Sequence, residues 1–191
     1  MRFLILILIL FSIASTASAA ELRLESSDFS VKTGDVFEVF MYILPKEERV
    51  NAVEGLIEIE GSSVEVEDIT MDDSIISAWI QRASKDSLSF SGIVAGGFSG
   101  VRSPYTSKVG PGKILTIRMK ALSPGKSVIS VSDPKVLLAD GLGSSVSNID
   151  LLPVEIDVSG VDSSGRKLSR SGIMSLLSVI LLLWLGKKYI S

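Results

Sequence analysis

The sequence predicts an all-β protein, a nine-stranded jelly-roll β-sandwich. Short runs alternate apolar and polar residues with a period of two; the clearest spans residues 115–121. Turn-forming residues separate these runs at intervals of about ten residues, as in sandwich domains. The residues from Glu21 to Val158 contain no convincing helix. Because successive strand residues point to opposite faces, each run is expected to bury one face and to expose the other.

Composition limits the possible functions. The chain has 191 residues, 46 % of them hydrophobic, which is enough for one core of ordinary domain size. Residues 21–158 carry 13 basic and 21 acidic side chains, a net charge of −8, which argues against a nucleic-acid partner. Cysteine and histidine are absent. The chain therefore has no disulfide, no thiolate metal site, and neither the commonest general base nor the commonest transition-metal ligand.

The N-terminus predicts a secretory signal peptide over residues 1–20. Arg2 supplies a positive charge, residues 3–11 are apolar, and Ala17-Ser18-Ala19 has the small-x-small pattern of a cleavage site. Cleavage is expected after Ala19 or Ala20, followed by export. The alternative is an uncleaved N-terminal anchor.

The first predicted strands follow directly. Leucines alternate with charged residues over 21–25, and Lys32-Thr33-Gly34-Asp35 has the composition of a turn. Residues 36–44 are rich in β-branched and aromatic side chains, which favour strands. A charged loop ends this strand.

The stretch from Val50 to Ile69 is the most informative. An apolar set faces one way and a row of carboxylates the other: Val53, Ile57 and Ile59 against Glu54, Glu58 and Glu60. Gly61-Ser62-Ser63 then forms a turn, and the alternation restarts at Val64. We interpret this stretch as two strands of an antiparallel sheet with one face in water.

Later elements have weaker signals. Residues 75–80 fit either a short strand or a helical turn, and the glycine-rich stretch 96–112 is predicted to be a long loop. Pro153 suits an edge strand. The remaining predicted strands cover residues 88–94, 115–121, 127–132, 135–139 and 151–158.

The C-terminus predicts a membrane anchor. Residues 159–170 form a polar linker, and residues 171–186 carry no charge before Lys187 and Lys188. As a helix this run would be about 24 Å long, which is short for a bilayer, but flanking cations can snorkel to the interface. We predict a transmembrane helix over 171–186, a cytoplasmic tail over 187–191, and a single-pass cell-membrane protein with its body outside. The alternative is a buried terminal helix.

With the strands placed, residues 21–158 resemble a cohesin domain, a β-sandwich module of cellulosomal scaffolds and surface proteins, related to cellulose-binding modules. The resemblance rests on Gly34–Val39, Gly55–Val66, Gly112–Ala121 with Pro124-Gly125, and Val136–Gly141. It implies a non-catalytic module that binds a protein partner of the dockerin type.

The sequence also departs from the cohesin pattern. Many dockerin-binding cohesins carry Asn-x-Asp on the recognition face, early in the central strand, where this chain has Ala52 and Glu54. Ile59-Glu60-Gly61 replaces the family's Tyr-Asp-Pro.

We predict that Glu54, Glu58 and Glu60 contact a protein partner; the alternative is an ordinary solvated sheet face. Two other functions stay open, polysaccharide binding and a structural or adhesive surface role. The module has only Trp79 as tryptophan, with Tyr42, Phe98 and Tyr105 in no obvious planar set.

An enzyme is not predicted, because the paired carboxylates lie on alternating strand faces or in turns, where nothing raises their pKa. Asp140, Asn148 and Asp150 are conceivable calcium ligands, but turn aspartates usually cap the backbone. The sequence therefore predicts no metal and no cofactor.

Overall fold

The computed structural model describes residues 20–46, 48–103 and 106–160. Four predicted segments lie outside this part of the chain: the signal peptide up to residue 19, the linker from residue 161, the transmembrane helix and the cytoplasmic tail. Within the described residues, no helix is long and apolar enough to cross a membrane.

Thirteen strands and no helix form in the described residues, so the predicted count of nine strands is wrong. Four short strands, near residues 31, 80, 102 and 108, were not predicted as definite strands. In addition, one predicted strand is divided in two, and two predicted strands are joined into one. The strands are β1 (Ala20–Ser26), β2 (Ser30–Lys32), β3 (Val36–Pro45), β4 (Val50–Glu60), β5 (Val64–Thr70), β6 (Ala78–Gln81), β7 (Ser89–Phe98), β8 (Val101–Ser103), β9 (Thr106–Val109), β10 (Gly112–Ala121), β11 (Gly125–Leu138), β12 (Ile149–Leu152) and β13 (Val154–Ser159).

Two large sheets form the sandwich. The first has five strands in the order β12-β1-β3-β10-β5, and the second has six in the order β2-β13-β11-β4-β7-β6. Most neighbours are antiparallel, while β1 with β12 and β13 with β2 run parallel. A separate two-stranded sheet joins β8 and β9. The predicted all-β sandwich is therefore confirmed.

The core lies between the inner faces of the two sheets. Each sheet contributes every second residue of its strands, as the period-two alternation requires. The most fully buried of these side chains come from both sheets: Val39, Met41, Ile117 and Met119 from the first, and Ile57, Phe90, Ile129 and Ile156 from the second.

The predicted hairpin between β4 and β5 is wrong, because the chain changes sheets at the turn. Both edges of β4 are already paired, with β11 on one side and β7 on the other, so β5 pairs with β10 in the opposite sheet. The buried Ser63 holds this crossing: its N–H donates to Ser127 Oγ (3.2 Å), and its carbonyl accepts from Leu122 N–H (2.7 Å).

Three other predictions change in detail. Strands predicted at 127–132 and 135–139 are one strand, β11, with a register shift where Asp133 takes a φ of 47°. The strand predicted at 151–158 is divided at Pro153, which separates β12 in one sheet from β13 in the other. The predicted loop 96–112 contains the end of β7 together with β8, β9 and the start of β10.

We predict that Gly61→Ala destabilises the domain more than Gly34→Ala. The two glycines have nearly the same φ, 98° and 94°, so a side chain costs about 1–2 kcal/mol at either position. A Cβ at Gly61 would also lie 2.6 Å from the Lys126 carbonyl oxygen, whereas a Cβ at Gly34 would meet nothing within 4 Å. This overlap adds about 1–3 kcal/mol. Urea unfolding of residues 20–160 measures the free energy of unfolding of each variant. Equal losses would contradict the close contact between Gly61 and β11 where the chain changes sheets.

Candidate functional site

The outer face of the six-stranded sheet presents the residues of the central strand β4. Val53 and Ile57 point into the core, so the alternating residues of β4 point outward. We call this surface the β4 face. It consists of Ala52, Glu54, Leu56, Glu58 and Glu60 from β4, Val128, Ser130, Ser132, Lys135 and Leu137 from β11, and Ser89, Ser91 and Ile93 from β7.

All three predicted contact residues lie on the β4 face, in one row, but their surroundings differ. Glu54 is half-buried and pairs with Lys135 on β11 (Nζ to Oε1, 3.5 Å). Glu58 and Glu60 are exposed, and neither forms an ion pair with any described residue. The role of the three in binding stays a prediction.

Other charges beside this row compensate each other. Lys126 at the start of β11 contacts Glu155 on β13 (2.5 Å between Nζ and Oε1). The hydrogen bond to Glu155, followed by its negative charge, raises the pKa of the Lys126 ammonium. The positive charge of Lys126 is therefore already balanced by Glu155, and it does not compensate Glu58 and Glu60. This end of the β4 face is acidic.

A cavity of about 340 Å³ lies at the opposite end of the β4 face. Ile93 on its wall is 41 % exposed, and Leu142, next to Gly141 of the same wall, is 86 % exposed. The full lining is Asn51, Ile93, Val94, Ala95, Gly96, Gly97, Ala139 and Gly141. Sequence reasoning missed this site; its only signal was the Gly96-Gly97 pair, which the sequence places in a predicted loop.

A shallower groove lies between the two ends. It has a volume of about 310 Å³ and is lined by polar residues around Leu56: Glu54, Gln81, Ser89, Ser91 and Asp133, with Gly55 and Phe90 at its floor. The β4 face therefore changes along its length from apolar, through polar, to acidic.

On the outer face of the five-stranded sheet, as on the β4 face, cations pair with carboxylates of the same sheet. Arg23 contacts Glu25 (3.0 Å) and lies over the Tyr42 ring, and Arg118 contacts Glu67 (2.8 Å). Such surface pairs contribute little to stability, but they leave less charge available for a partner.

The aromatic side chains considered for sugar stacking do not form a coplanar set in the described residues. Trp79 packs against the core, and Phe98 is only 7 % exposed. Tyr42 and its neighbour Phe40 are tilted by 39°. Tyr105 lies outside the described residues.

The three conceivable calcium ligands have other roles or partners. Asp140 caps its own loop by accepting from Leu142 N–H (2.8 Å). Hydrogen bonds from the Ser144 side chain and from this N–H hold the pKa of the Asp140 carboxyl below its ordinary value. Asp150 contacts Lys46 Nζ (2.6 Å). Among the described residues, no cluster of three or more acidic side chains is arranged to hold a metal ion.

The fold is similar to solved cohesin structures. The third ScaB cohesin of R. flavefaciens, solved in complex with a group 1 dockerin, matches with a TM-score of 0.55 and 12 % identity, over 75 % of this chain and 97 % of the cohesin. The chain has a cohesin-like fold. The non-cellulosomal cohesin of the archaeon Archaeoglobus fulgidus matches with a TM-score of 0.51 and 12 % identity, over 74 % of this chain and 92 % of that one. The OlpC cohesin of Clostridium thermocellum, solved in complex with a dockerin, matches with a TM-score of 0.52 and 10 % identity, over 78 % and 99 %.

The cohesin likeness is therefore confirmed at the level of the fold. Sequence comparison gave no matching protein-family model and no matching curated protein. Because fold alone does not determine function, the binding properties have to be argued from the β4 face itself.

Proposed function

We propose that this protein is a non-catalytic recognition module that binds a protein partner through the β4 face. The observation that carries the proposal is the uncompensated pair Glu58 and Glu60 on β4, a central strand of the six-stranded sheet. Exposed carboxylates without a partner favour a ligand that brings positive charge.

The cohesin-like fold supports a protein as the ligand. Two of the similar cohesins were solved as complexes with dockerins, which makes a dockerin-type protein the first partner to test. In addition, the positions that correspond to the cohesin Asn-x-Asp pair, Ala52 and Glu54, lie on the β4 face. A sugar ligand has less support, because Trp79 packs against the core and the rings of Phe40 and Tyr42 are tilted to each other.

The proposal includes display at the outer side of a cell membrane. It rests on the sequence of the two termini: a signal peptide for export, a polar linker over 159–170 and an uncharged run over 171–186. A module on such a tether could recruit a soluble partner to the cell surface.

Charge reversal on the β4 face tests the proposal. Immobilised residues 20–160 should capture a protein from membrane or secreted extracts, and Glu58→Lys with Glu60→Lys should weaken the purified interaction about tenfold, since attraction becomes repulsion. The wild-type interaction should also weaken as salt increases.

The matched control is Glu25→Lys with Glu67→Lys on the opposite sheet. Glu67 is exposed and Glu25 is half-buried, and both pair with arginines there. Their reversal should leave affinity within about twofold. A partner that responds to the control pair and not to Glu58 and Glu60 would place the binding site on the five-stranded sheet and contradict the proposal.

A further inference from the structure

The two ends of the β4 face differ in chemistry. At one end Glu58 and Glu60 are exposed and unpaired within the described part of the chain. At the other end Ile93 and Leu142 border an open cavity of about 340 Å³. A ligand that complements the whole face must therefore differ in chemistry along its own length.

One residue in the wall of the cavity has an unsatisfied polar atom. Asn51 lines it, and the Asn51 Oδ1 atom is buried without a hydrogen-bond donor among the described residues. A buried carbonyl oxygen without a donor is unfavourable. Because this oxygen has no accessible surface, the Asn51 amide has to turn toward the cavity before a ligand N–H or O–H can reach it. A ligand that supplies such a donor then gains more than one that is apolar throughout.

The separation of the two ends determines the size of the ligand. Residues 51 and 60 are the two ends of one strand, roughly 30 Å apart at about 3.3 Å per residue. A single small molecule does not reach both, whereas a protein surface of ordinary interface size does.

From these observations we propose that the partner binds at two points: a cationic cluster contacts Glu58 and Glu60, and an apolar side chain with a hydrogen-bond donor occupies the cavity beside Asn51. This inference rests on the proposed function and names the chemistry of the partner. Tyrosine, tryptophan and the stem of lysine combine an apolar body with a donor, and each suits the cavity. The groove around Leu56 between the two points is polar. When the partner covers it, its contacts contribute mainly by keeping water away from the two binding points.

A peptide selection tests the inference even while the partner is unidentified. The probe is a displayed library of random peptides about 20 residues long, which is enough to span roughly 30 Å as a helix or an extended chain. It is selected on the full-length protein in mild detergent. Binders should be enriched in lysine or arginine together with tyrosine or tryptophan, separated along the peptide.

Three variants of the full-length protein locate the binding of each selected peptide. Ala95→Trp occupies the cavity from an exposed position on its wall, and Glu58→Gln with Glu60→Gln removes the charges. Each should weaken binding about tenfold. Added salt should weaken the wild-type interaction in the same way as the Glu58→Gln and Glu60→Gln variant, but it should not reproduce the effect of Ala95→Trp. Ser91→Trp obstructs the middle of the face and should abolish binding. Circular dichroism and thermal unfolding verify that each variant is folded.

The outcomes separate the two claims. Peptides that lose binding with Ser91→Trp, but lack basic residues or tolerate both end variants, would overturn two-point recognition and leave the β4 face as the site. Peptides that all tolerate Ser91→Trp, or a selection that gives none, would contradict the β4 face itself and with it the proposed function.

Discussion

Removal of residues 171–191, the proposed membrane anchor, is expected to release the protein in soluble form. The deleted segment carries the uncharged run 171–186 and the lysines after it, while residues 20–160 form their own core. Full-length protein should stay in the membrane pellet after carbonate washing, and the shortened protein should be found in the soluble fraction. Folding of the soluble product is verified by its β-type circular dichroism.

A single charge within the same run should have a similar effect. Val179→Arg places a cation at the middle of the proposed span. In a transmembrane helix this costs about 2.5–3.5 kcal/mol on the insertion scale, and a run this short has little margin. Val179→Leu is the control and should stay anchored. Carbonate-resistant association of the shortened protein would refute the C-terminal anchor and indicate an uncleaved segment near residues 3–13 instead.

Ile117→Ala should lower the free energy of unfolding by about 2–5 kcal/mol, because it leaves a cavity at a fully buried position on β10. Lys120→Ala on the outward side of the same strand should change it by no more than about 0.5 kcal/mol. Urea unfolding of residues 20–160 compares the two. Equal losses would contradict the assignment of inward and outward faces on β10.

Thr116 would be an unsuitable control for this experiment, although it also points outward. It lies between Phe40 on β3 and Thr70 on β5, and these neighbours leave it only 7 % exposed. Alternation identifies the face of a residue, but its exposure depends on the size of the side chains on adjacent strands. Those neighbours are known only once the strand order is known.

The sequence predicted most of what depends on local alternation. The inward set of β4 and the outward glutamates are correct, because a period of two reflects the pleat of a single strand. The placement of β5 was wrong for a related reason: alternation is the same whether two strands share a sheet or face each other across a core. Both edges of β4 are occupied by β11 and β7, which are distant in sequence.

The candidate site was predictable only in part. The alternation along β4 predicted that Glu58 and Glu60 point outward. The pairing of Glu54 with Lys135 could not be predicted in this way, because it depends on contact between β4 and β11. The cavity beside Asn51 involves residues near positions 51, 95 and 140, which no short motif connects. Sites that combine distant segments require the tertiary structure.

Photo-crosslinking from the two outer faces tests the central claim most directly. A benzoyl-phenylalanine residue replaces Ser130, beside Glu58 on the β4 face, or Lys120, on the outer face of the five-stranded sheet, in the full-length protein in its native cells. If the β4 face binds a protein partner, irradiation should attach one defined protein at position 130 and none at position 120. Attachment of that protein only at position 120 would show that the partner binds the opposite sheet.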